Sequence, residues 1–176
     1  MTIKIEDTAI TEIKVIIGAR FYDERGFFTE TYNEKDYKEI GIPRFVQDNL
    51  SLSSKGVIRG LHWQDSPFGQ GKLVSCISGS ILDVAVDIRS KSPTFGEYVL
   101  MELSGNEAKA LWIPEGFAHG FQSLEDSTRV HYKVTNYWNK NSERSLFFAD
   151  PEISIPWADI PPLVSEKDQN SPKLLR

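Results

Sequence analysis

The chain has 176 residues, of which 40% are hydrophobic and 11% aromatic. This size and composition suit one globular domain and exclude a disordered chain. The formal net charge is −5 at pH 7 and the pI is about 5.3, which excludes non-specific nucleic-acid binding because such binding depends on basic side chains that neutralise phosphates. We therefore expect a single domain over residues 1–176, with no nucleic acid among its partners.

The lack of a recognisable targeting signal and the single cysteine both predict a cytoplasmic protein. Residues 1–7 are too polar for a signal peptide, and no apolar run approaches the ~20 residues that a membrane-spanning helix needs. The single cysteine, Cys76, lies in an apolar run and has no partner for an internal disulfide, as is usual in a reducing compartment. We expect no membrane association.

The first predicted elements are a strand and a helix. Residues 11–17 are polar and strand-like, and we expect them to form an exposed sheet edge unless a partner covers them. A short helix follows, because Asn33 is a suitable N-cap and Gly41 and Pro43 end the helix after Ile40.

Most of the remaining chain predicts short strands between Gly and Pro turns. Residues 81–88 are predicted to form a strand, because apolar side chains at alternate positions are separated by Asp83, Ala85 and Asp87. The next predicted strand covers residues 98–103. Many short strands at even spacing are typical of a sandwich or barrel. The tail from Pro151 onward is rich in proline, so we expect it to be extended and non-helical and to wrap the barrel, with Trp157 as its anchor.

Each of the three histidines has a different context. His62 lies in residues 56–64 beside Arg59, and these residues alone leave a structural and a catalytic role equally open. His119 ends a Pro-x-Gly-x-x-His pattern that resembles the second half of a cupin signature. His131 alternates with Tyr132 and shares its strand face with basic residues, so we interpret it as non-catalytic.

The sequence does not predict a metal site. Metal-binding cupins typically place two histidines and a glutamate near the first motif, whereas here His62 is followed by Gln64 and by no nearby carboxylate. Two histidines far apart in sequence are too few ligands to predict a functional metal.

Tyr132 and several basic residues are further candidates. Tyr132 alternates with apolar residues and is expected to face the interior, where its hydroxyl would need a polar partner. Arg59 lies in a mainly apolar strand, and a buried arginine needs an anion such as a phosphate. Arg25, Lys72 and Lys167 lie beside glycines or in polar loops and are weaker candidates for the same role.

Taken together, many segments in one order make the chain similar to the dTDP-4-dehydrorhamnose 3,5-epimerase family. The resemblance runs from about residue 20 to 170 and is carried by residues 23–30, 47–51, 56–64, 71–74, 82–89, 92–96, 111–121, 132–137 and 165–168. It implies an all-β, cupin-type jelly-roll barrel with short peripheral helices, a homodimer, and a nucleotide-linked 4-keto-6-deoxyhexose as substrate.

The resemblance also implies roles for individual residues. His62 falls on the family's base, Asp168 on the aspartate that pairs with it, and Tyr132 on the proton donor. Trp138 stands where relatives often carry a tyrosine for base stacking, which bears on the nucleotide or epimer preferred. The implied substrate contacts are Arg25, Glu30, Gln47, Asn49, Arg59, Lys72, His119, Glu143 and Lys167.

These roles fit the chemistry of a 4-keto sugar. A ketone at C4 acidifies the C–H bonds at C3 and C5, so a base can remove a proton to give an enolate, and an acid on the other face can return one. Neutral histidine is a suitable base, and a carboxylate such as Asp168 fixes its tautomer. The enolate oxygen needs a charge partner, and Lys72 is our candidate. No metal and no redox cofactor is required.

Three alternatives remain open at this stage. Within the family, the chain could invert C3 or C5 alone, or act on a GDP- or CDP-linked sugar. A different class would be a metal-dependent cupin oxygenase. A sugar-binding cupin without activity is disfavoured, because such a protein would have no need of His62, Tyr132 and Asp168 together.

Overall fold

The computed structural model describes residues 3–174, and the predicted all-β architecture with short helices is confirmed. The elements are β1 Lys4–Asp7, β2 Lys14–Ile17, β3 Arg20–Asp23, β4 Gly26–Thr29, α1 Glu34–Glu39, β5 Gln47–Ser53, β6 Val57–Gln64, β7 Lys72–Ser78, β8 Ser80–Asp87, β9 Tyr98–Ser104, β10 Lys109–Ile113, β11 Phe117–Ser123, β12 Thr128–Val134, β13 Glu143–Ser145, β14 Leu163–Val164 and α2 Glu166–Gln169. Within residues 3–174 no helix is long and apolar enough to cross a bilayer.

Two sheets form the body of the fold. The first has the strand order β1-β2-β10-β7-β12-β5, and the second has the order β13-β6-β11-β8-β9, with β14 also paired to β6. Strands β3 and β4 form a separate hairpin. The main core cluster draws residues from both sheets, including Val74 and Val130 from the first and Ala85, Phe117 and Phe121 from the second. This cluster fills much of the barrel interior.

Both sheets are also covered on parts of their outer faces. Helix α1 and the segment after it contribute Tyr37 and Phe45 to a cluster with Trp112 of β10. On the second sheet, Val84 and Val86 pack with residues of the tail, Trp157 among them. The Trp157 indole also donates a hydrogen bond to the Phe148 carbonyl at 2.8 Å, so Trp157 anchors the tail as predicted.

Helix α1 has the predicted limits. The Asn33 side chain accepts a hydrogen bond from the Lys35 backbone, and Ile40 is the C-cap. Gly41 follows with a positive φ of 81°, a conformation that glycine adopts without a steric penalty.

Two sequence-based expectations are wrong. The tail is not wholly non-helical, because Ser165 caps the one-turn helix α2 by accepting a hydrogen bond from the Asp168 backbone. Residues 11–17 are not an edge, because β2 pairs on one side with β10 and on the other with β1. At this end of the first sheet the exposed edge strand is β1. Strand order depends on pairing between distant segments, which local patterning does not report.

The β6–β11 pair contains a bulge that matters for the site. His119 pairs with His62, but Phe121 pairs with Arg59, so the register shifts between them. Gly60 lies at the shift with a φ of 124°, and a Cβ built there would be 2.6 Å from the Gly120 Cα atom. The close approach of the two strands therefore requires glycine at this position.

Gly60→Ala should therefore destabilise the protein and displace His62. We expect a larger loss of unfolding free energy than for the control Gly41→Ala, whose Cβ would meet nothing within 4 Å and which should cost only the left-handed strain of about 1–2 kcal/mol. Urea unfolding of both variants measures the difference. Equal losses would show that the strand contact at Gly60 does not restrict its side chain.

Candidate active site

One end of the barrel interior is open and forms a cavity of about 540 Å³. Its walls come from β6, β7, β11 and β12 and from the tail at β14 and α2. A neighbouring hollow of about 240 Å³ shares His62, Lys72 and Tyr132 with this cavity. We call these two spaces the main cavity and the side cavity. Three of the four predicted catalytic residues thus line both spaces, and the fourth, Asp168, lines the main cavity.

His62 and Asp168 form a hydrogen-bonded pair. His62 Nε2 lies 2.6 Å from Asp168 Oδ1, and the other carboxylate oxygen accepts from the Gly60 backbone at 3.4 Å. Burial alone would raise the pKa of Asp168, but the hydrogen bond and charge of His62 hold it below its usual value. The ionised carboxylate can only accept, so Nε2 carries the proton of a neutral His62, and Nδ1 is its basic atom.

Lys72 is a buried cation in the same cavity. Its side-chain nitrogen donates to the His62 carbonyl at 3.0 Å, and the residue is only 8% exposed. Burial lowers the pKa of Lys72 to about 8, against the opposing charges of Asp83 and Glu143. This pKa lies only about one unit above neutral pH, so the ammonium form of Lys72 is favoured by a small margin.

His119 forms a second histidine–carboxylate pair that sequence reasoning missed in part. Its Nε2 atom lies 2.8 Å from Asp83 Oδ1, and both side chains are buried. Burial lowers the pKa of His119, while the charge and hydrogen bond of Asp83 oppose this. Asp83 had no predicted role. The available signal was a carboxylate in the middle of an otherwise apolar strand.

Tyr132 faces the cavity from the sheet opposite His62. It is half-buried against the main core cluster, as its alternation with Val130 and Val134 predicted. Burial raises the pKa of its phenol, which the charge of Arg59 offsets only partly. The phenol thus keeps its proton at neutral pH and can act as an acid.

Arg59 lines the main cavity but is not buried, which contradicts the reason given for selecting it. Its guanidinium donates to Ser53 Oγ at 3.1 Å and to the Leu52 carbonyl at 3.0 Å. The bulge at Gly60 breaks the strand alternation, so Arg59 and His62, three residues apart, line one cavity. Strict alternation would place the two side chains on opposite faces of the strand.

The side cavity gathers predicted substrate contacts. Gln47, Asn49, Trp138 and Glu143 all line it. The Gln47 amide donates to Asn49 Oδ1 at 2.9 Å and its oxygen accepts from the Trp138 backbone at 3.0 Å. The Trp138 ring is 55% exposed, so its flat face is available at the mouth of the cavity.

Glu143 and Lys167 form an ion pair between β13 and α2. The Lys167 side-chain nitrogen lies 2.8 Å from Glu143 Oε2. Burial alone would raise the pKa of Glu143, but Lys167 together with His62 and a hydrogen bond from Trp138 lower it. The pair connects the tail to the wall of the side cavity.

Arg25 and Glu30 are the two predicted contacts that this chain does not bring to either cavity. Arg25 lies in the turn of the β3–β4 hairpin, where its side chain is 85% exposed and pairs with Asp23. Glu30 follows β4 and lines a separate apolar pocket near α1.

The arrangement is suited to proton transfer to and from a ligand in the main cavity. A histidine base, a protonated phenol and a buried ammonium converge on the same space from two sheets. In the described residues 3–174 no group of three or more His, Cys, Asp and Glu side chains could hold a metal ion.

Comparison with known proteins gives consistent results over nearly the whole chain. The family model of dTDP-4-dehydrorhamnose 3,5-epimerase matches residues 7–175. A protein of that name from Shigella flexneri is 49% identical over 174 residues, which cover 98% of this chain and 93% of the relative.

Solved structures agree with the sequence matches. The crystal structure of dTDP-6-deoxy-D-glucose-3,5-epimerase from Legionella pneumophila Philadelphia 1, in complex with dTDP-4-keto-L-rhamnose, has a TM-score of 0.95 and 47% identity and covers 98% of this chain and 93% of that one. A second is a 3'-monoepimerase from Streptomyces bikiniensis in complex with dTDP. It is a double mutant with one histidine changed to asparagine and one tyrosine to phenylalanine. Its TM-score is 0.91 at 29% identity, and the match covers 95% of this chain and 85% of that one.

Proposed function

The chain belongs to the dTDP-4-dehydrorhamnose 3,5-epimerase family, and from that premise we propose how its own residues invert C3 and C5 of a dTDP-linked 4-keto-6-deoxyhexose. The fold is the cupin-type jelly roll that the sequence predicted, and the enzyme is an isomerase. The observation that carries the assignment of roles is the convergence of His62, Tyr132 and Lys72 on one cavity from opposite sheets.

The reaction follows from the protonation states of these three groups. His62 Nδ1 takes the proton from the carbon beside the ketone, and the electron pair of the C–H bond moves into the enolate. The Lys72 ammonium stabilises the negative charge on the C4 oxygen. Tyr132 then delivers a proton to the opposite face of the carbon, which inverts it. Asp168 holds His62 in the correct tautomer and stabilises the imidazolium.

Two comparisons support these roles and the choice of substrate. The histidine and tyrosine replaced in the Streptomyces bikiniensis monoepimerase are as far apart in its sequence as His62 and Tyr132 are here. The Legionella pneumophila relative is a 3,5-epimerase solved with a dTDP-linked keto sugar. The side cavity, with Gln47, Asn49 and Trp138, is where we place the nucleotide.

His62→Asn should abolish turnover while the fold survives. Asparagine can keep a hydrogen bond to Asp168 but cannot accept the carbon-bound proton, so we expect a loss of at least about 10²–10⁴-fold. The substrate is dTDP-4-dehydro-6-deoxyglucose in deuterated water, and NMR reads exchange at C3 and C5 separately. His131→Asn, on the outer face of the first sheet, is the control. Near-normal exchange in a folded His62→Asn variant would remove His62 as the base.

Tyr132→Phe should separate proton removal from inversion. His62 still takes the proton, so exchange with deuterium continues, while inversion falls by about 10²–10⁴-fold because the acid is missing. The ring still packs on the core, so the melting temperature should change little.

Tyr98→Phe is the matched control, because Tyr98 packs on the outer face of the second sheet, away from the cavity. This variant should change neither deuterium exchange nor inversion. If Tyr132 is only a core residue, its phenylalanine variant loses stability and keeps inversion. That pattern would exclude Tyr132 from the mechanism.

We further propose that the protein is a homodimer in which the β3–β4 hairpin reaches the partner's cavity. Four aromatic side chains of this hairpin, Phe21, Tyr22, Phe27 and Phe28, are 52–70% exposed. An isolated two-stranded hairpin is marginally stable in water, so a second copy that covers these rings would stabilise it. Arg25, at the hairpin turn, and Glu30 would then contact a substrate bound to the partner.

Complementation between inactive variants tests this arrangement. Arg25→Ala and His62→Asn subunits are each expected to be inactive as homodimers. Co-expression should restore activity, since a mixed dimer then contains one site with both groups intact, and random pairing predicts about a quarter of the wild-type rate. Absence of any recovery in purified mixed dimers, or a monomeric mass by light scattering, would contradict the proposal.

The organisation of the chain completes the proposal. We treat residues 1–176 as one catalytic domain whose tail supplies Asp168 and Lys167. A cytoplasmic location is consistent with Cys76, which is buried as a free thiol.

A further inference from the structure

Asp83 is a buried carboxylate that no step above uses. It lies in the middle of β8, its side chain is fully buried, and it pairs across the sheet with Phe121 of β11. Phe121 and His119 lie two residues apart on β11 and both line the main cavity. Directly paired residues share a face of the sheet, so Asp83 lies next to Phe121 on the inward face, at the border of the cavity.

Its bond to His119 determines what that imidazole can do. The carboxylate accepts a hydrogen bond from the N–H group at His119 Nε2 at 2.8 Å, so Nδ1 of the neutral ring is an acceptor. A neutral His119 held in this tautomer cannot donate from Nδ1 to an enolate oxygen. The donation must then come from another group. Of the described residues, three cations line the same cavity, Arg59, Lys72 and Lys167, and Lys72 is the buried one.

The second oxygen of Asp83 gives a further reason to link this carboxylate with Lys72. Oδ2 is buried and has no hydrogen-bond partner within the described part of the chain. A buried carboxylate with an unpaired oxygen is costly unless a nearby cation compensates it. The charge of Asp83 is the larger of the two that oppose the effect of burial on Lys72, the other being Glu143.

We propose that Asp83 is a positioning residue that keeps the buried Lys72 in its ammonium form for the enolate and holds His119 as a neutral acceptor. The inference rests on the proposed function, because it assigns the ammonium to the enolate oxygen.

The electrostatic surroundings of Lys72 set the direction of the effect. The titratable groups on the elements around it are Asp83 on β8, Glu143 on β13, His62 on β6, His119 on β11 and Tyr132 on β12, and the charged residues Arg59, Lys167 and Asp168 also line the main cavity. The carboxylates of Asp83 and Glu143 favour the ammonium, and a protonated His62 or His119 would oppose it. Since the ammonium is the active form, activity is lost as the pH rises through the pKa of Lys72, which lies at about 8.

Asp83→Asn should move this alkaline limit to lower pH. The amide can still bond to His119 but has lost the charge. In the pH profile of kcat/KM for dTDP-4-dehydro-6-deoxyglucose, the alkaline limb, where activity falls, should therefore move to lower pH by about one unit or more. Asp87→Asn is the matched control, because Asp87 is an equally buried carboxylate of β8 that bonds instead to Arg89, Ser92 and Thr94. It should lose stability and leave the limb in place. An unshifted limb in Asp83→Asn, or an equal shift in both variants, would overturn the proposal.

A second measurement needs neither turnover nor a stable Asp83 variant. In Lys72→Met the carboxylate of Asp83 loses its cation and becomes an unpaired charge in the protein interior, which costs folding free energy. Acid neutralises carboxylates, so this cost is larger at pH 7 than at pH 4.

The melting temperature of Lys72→Met should therefore fall further below that of the wild type at pH 7 than at pH 4. The same deficit at both values would show that Asp83 and Lys72 are not coupled. Because the measurement follows unfolding only, it separates a failure of this coupling from a failure of the proposed epimerase mechanism.

Discussion

The hydrogen bond between His62 and Asp168 is the interaction on which the rest of the active site depends. It joins residues 106 positions apart, one in the barrel wall and one in the tail. Asp168 reaches His62 because Ser165 caps α2 and because β14 pairs with β6 in parallel. The tail also supplies Lys167 and part of the cavity wall. Docking of the tail therefore both completes the pair that contains the proposed base and closes part of the cavity wall.

Local patterns predicted much of this arrangement. The inward direction of Tyr132 follows from strict alternation, and the limits of α1 follow from Asn33 and Gly41, because both signals depend only on adjacent residues. The anchoring of the tail by Trp157 was also predictable, since a large aromatic in a polar, proline-rich segment must bury its ring. The roles of His62 and Asp168 came instead from the resemblance to a family, because no local pattern connects residues so far apart.

The errors have a common physical origin in contacts between distant strands. Arg59 was expected to be buried because its neighbours are apolar, but the bulge at Gly60 turns it to the cavity and leaves it exposed. Residues 11–17 look like an edge until β1 pairs beside them. The pairing of Asp83 with His119 depends on the register of β8 against β11, which alternation within a single strand cannot report.

Burial acts in one direction on three side chains that line this cavity. It lowers the pKa of Lys72 and of His119 and raises that of Tyr132, so each is driven toward its neutral form. A neutral phenol and a neutral imidazole suit proton transfer, but a neutral amine could not stabilise an enolate. The site therefore needs fixed negative charge near Lys72. Asp83 and Glu143 supply this charge from the second sheet. Negative charge favours a protonated phenol as well as an ammonium, so one cavity can hold an acid and a cation at the same pH.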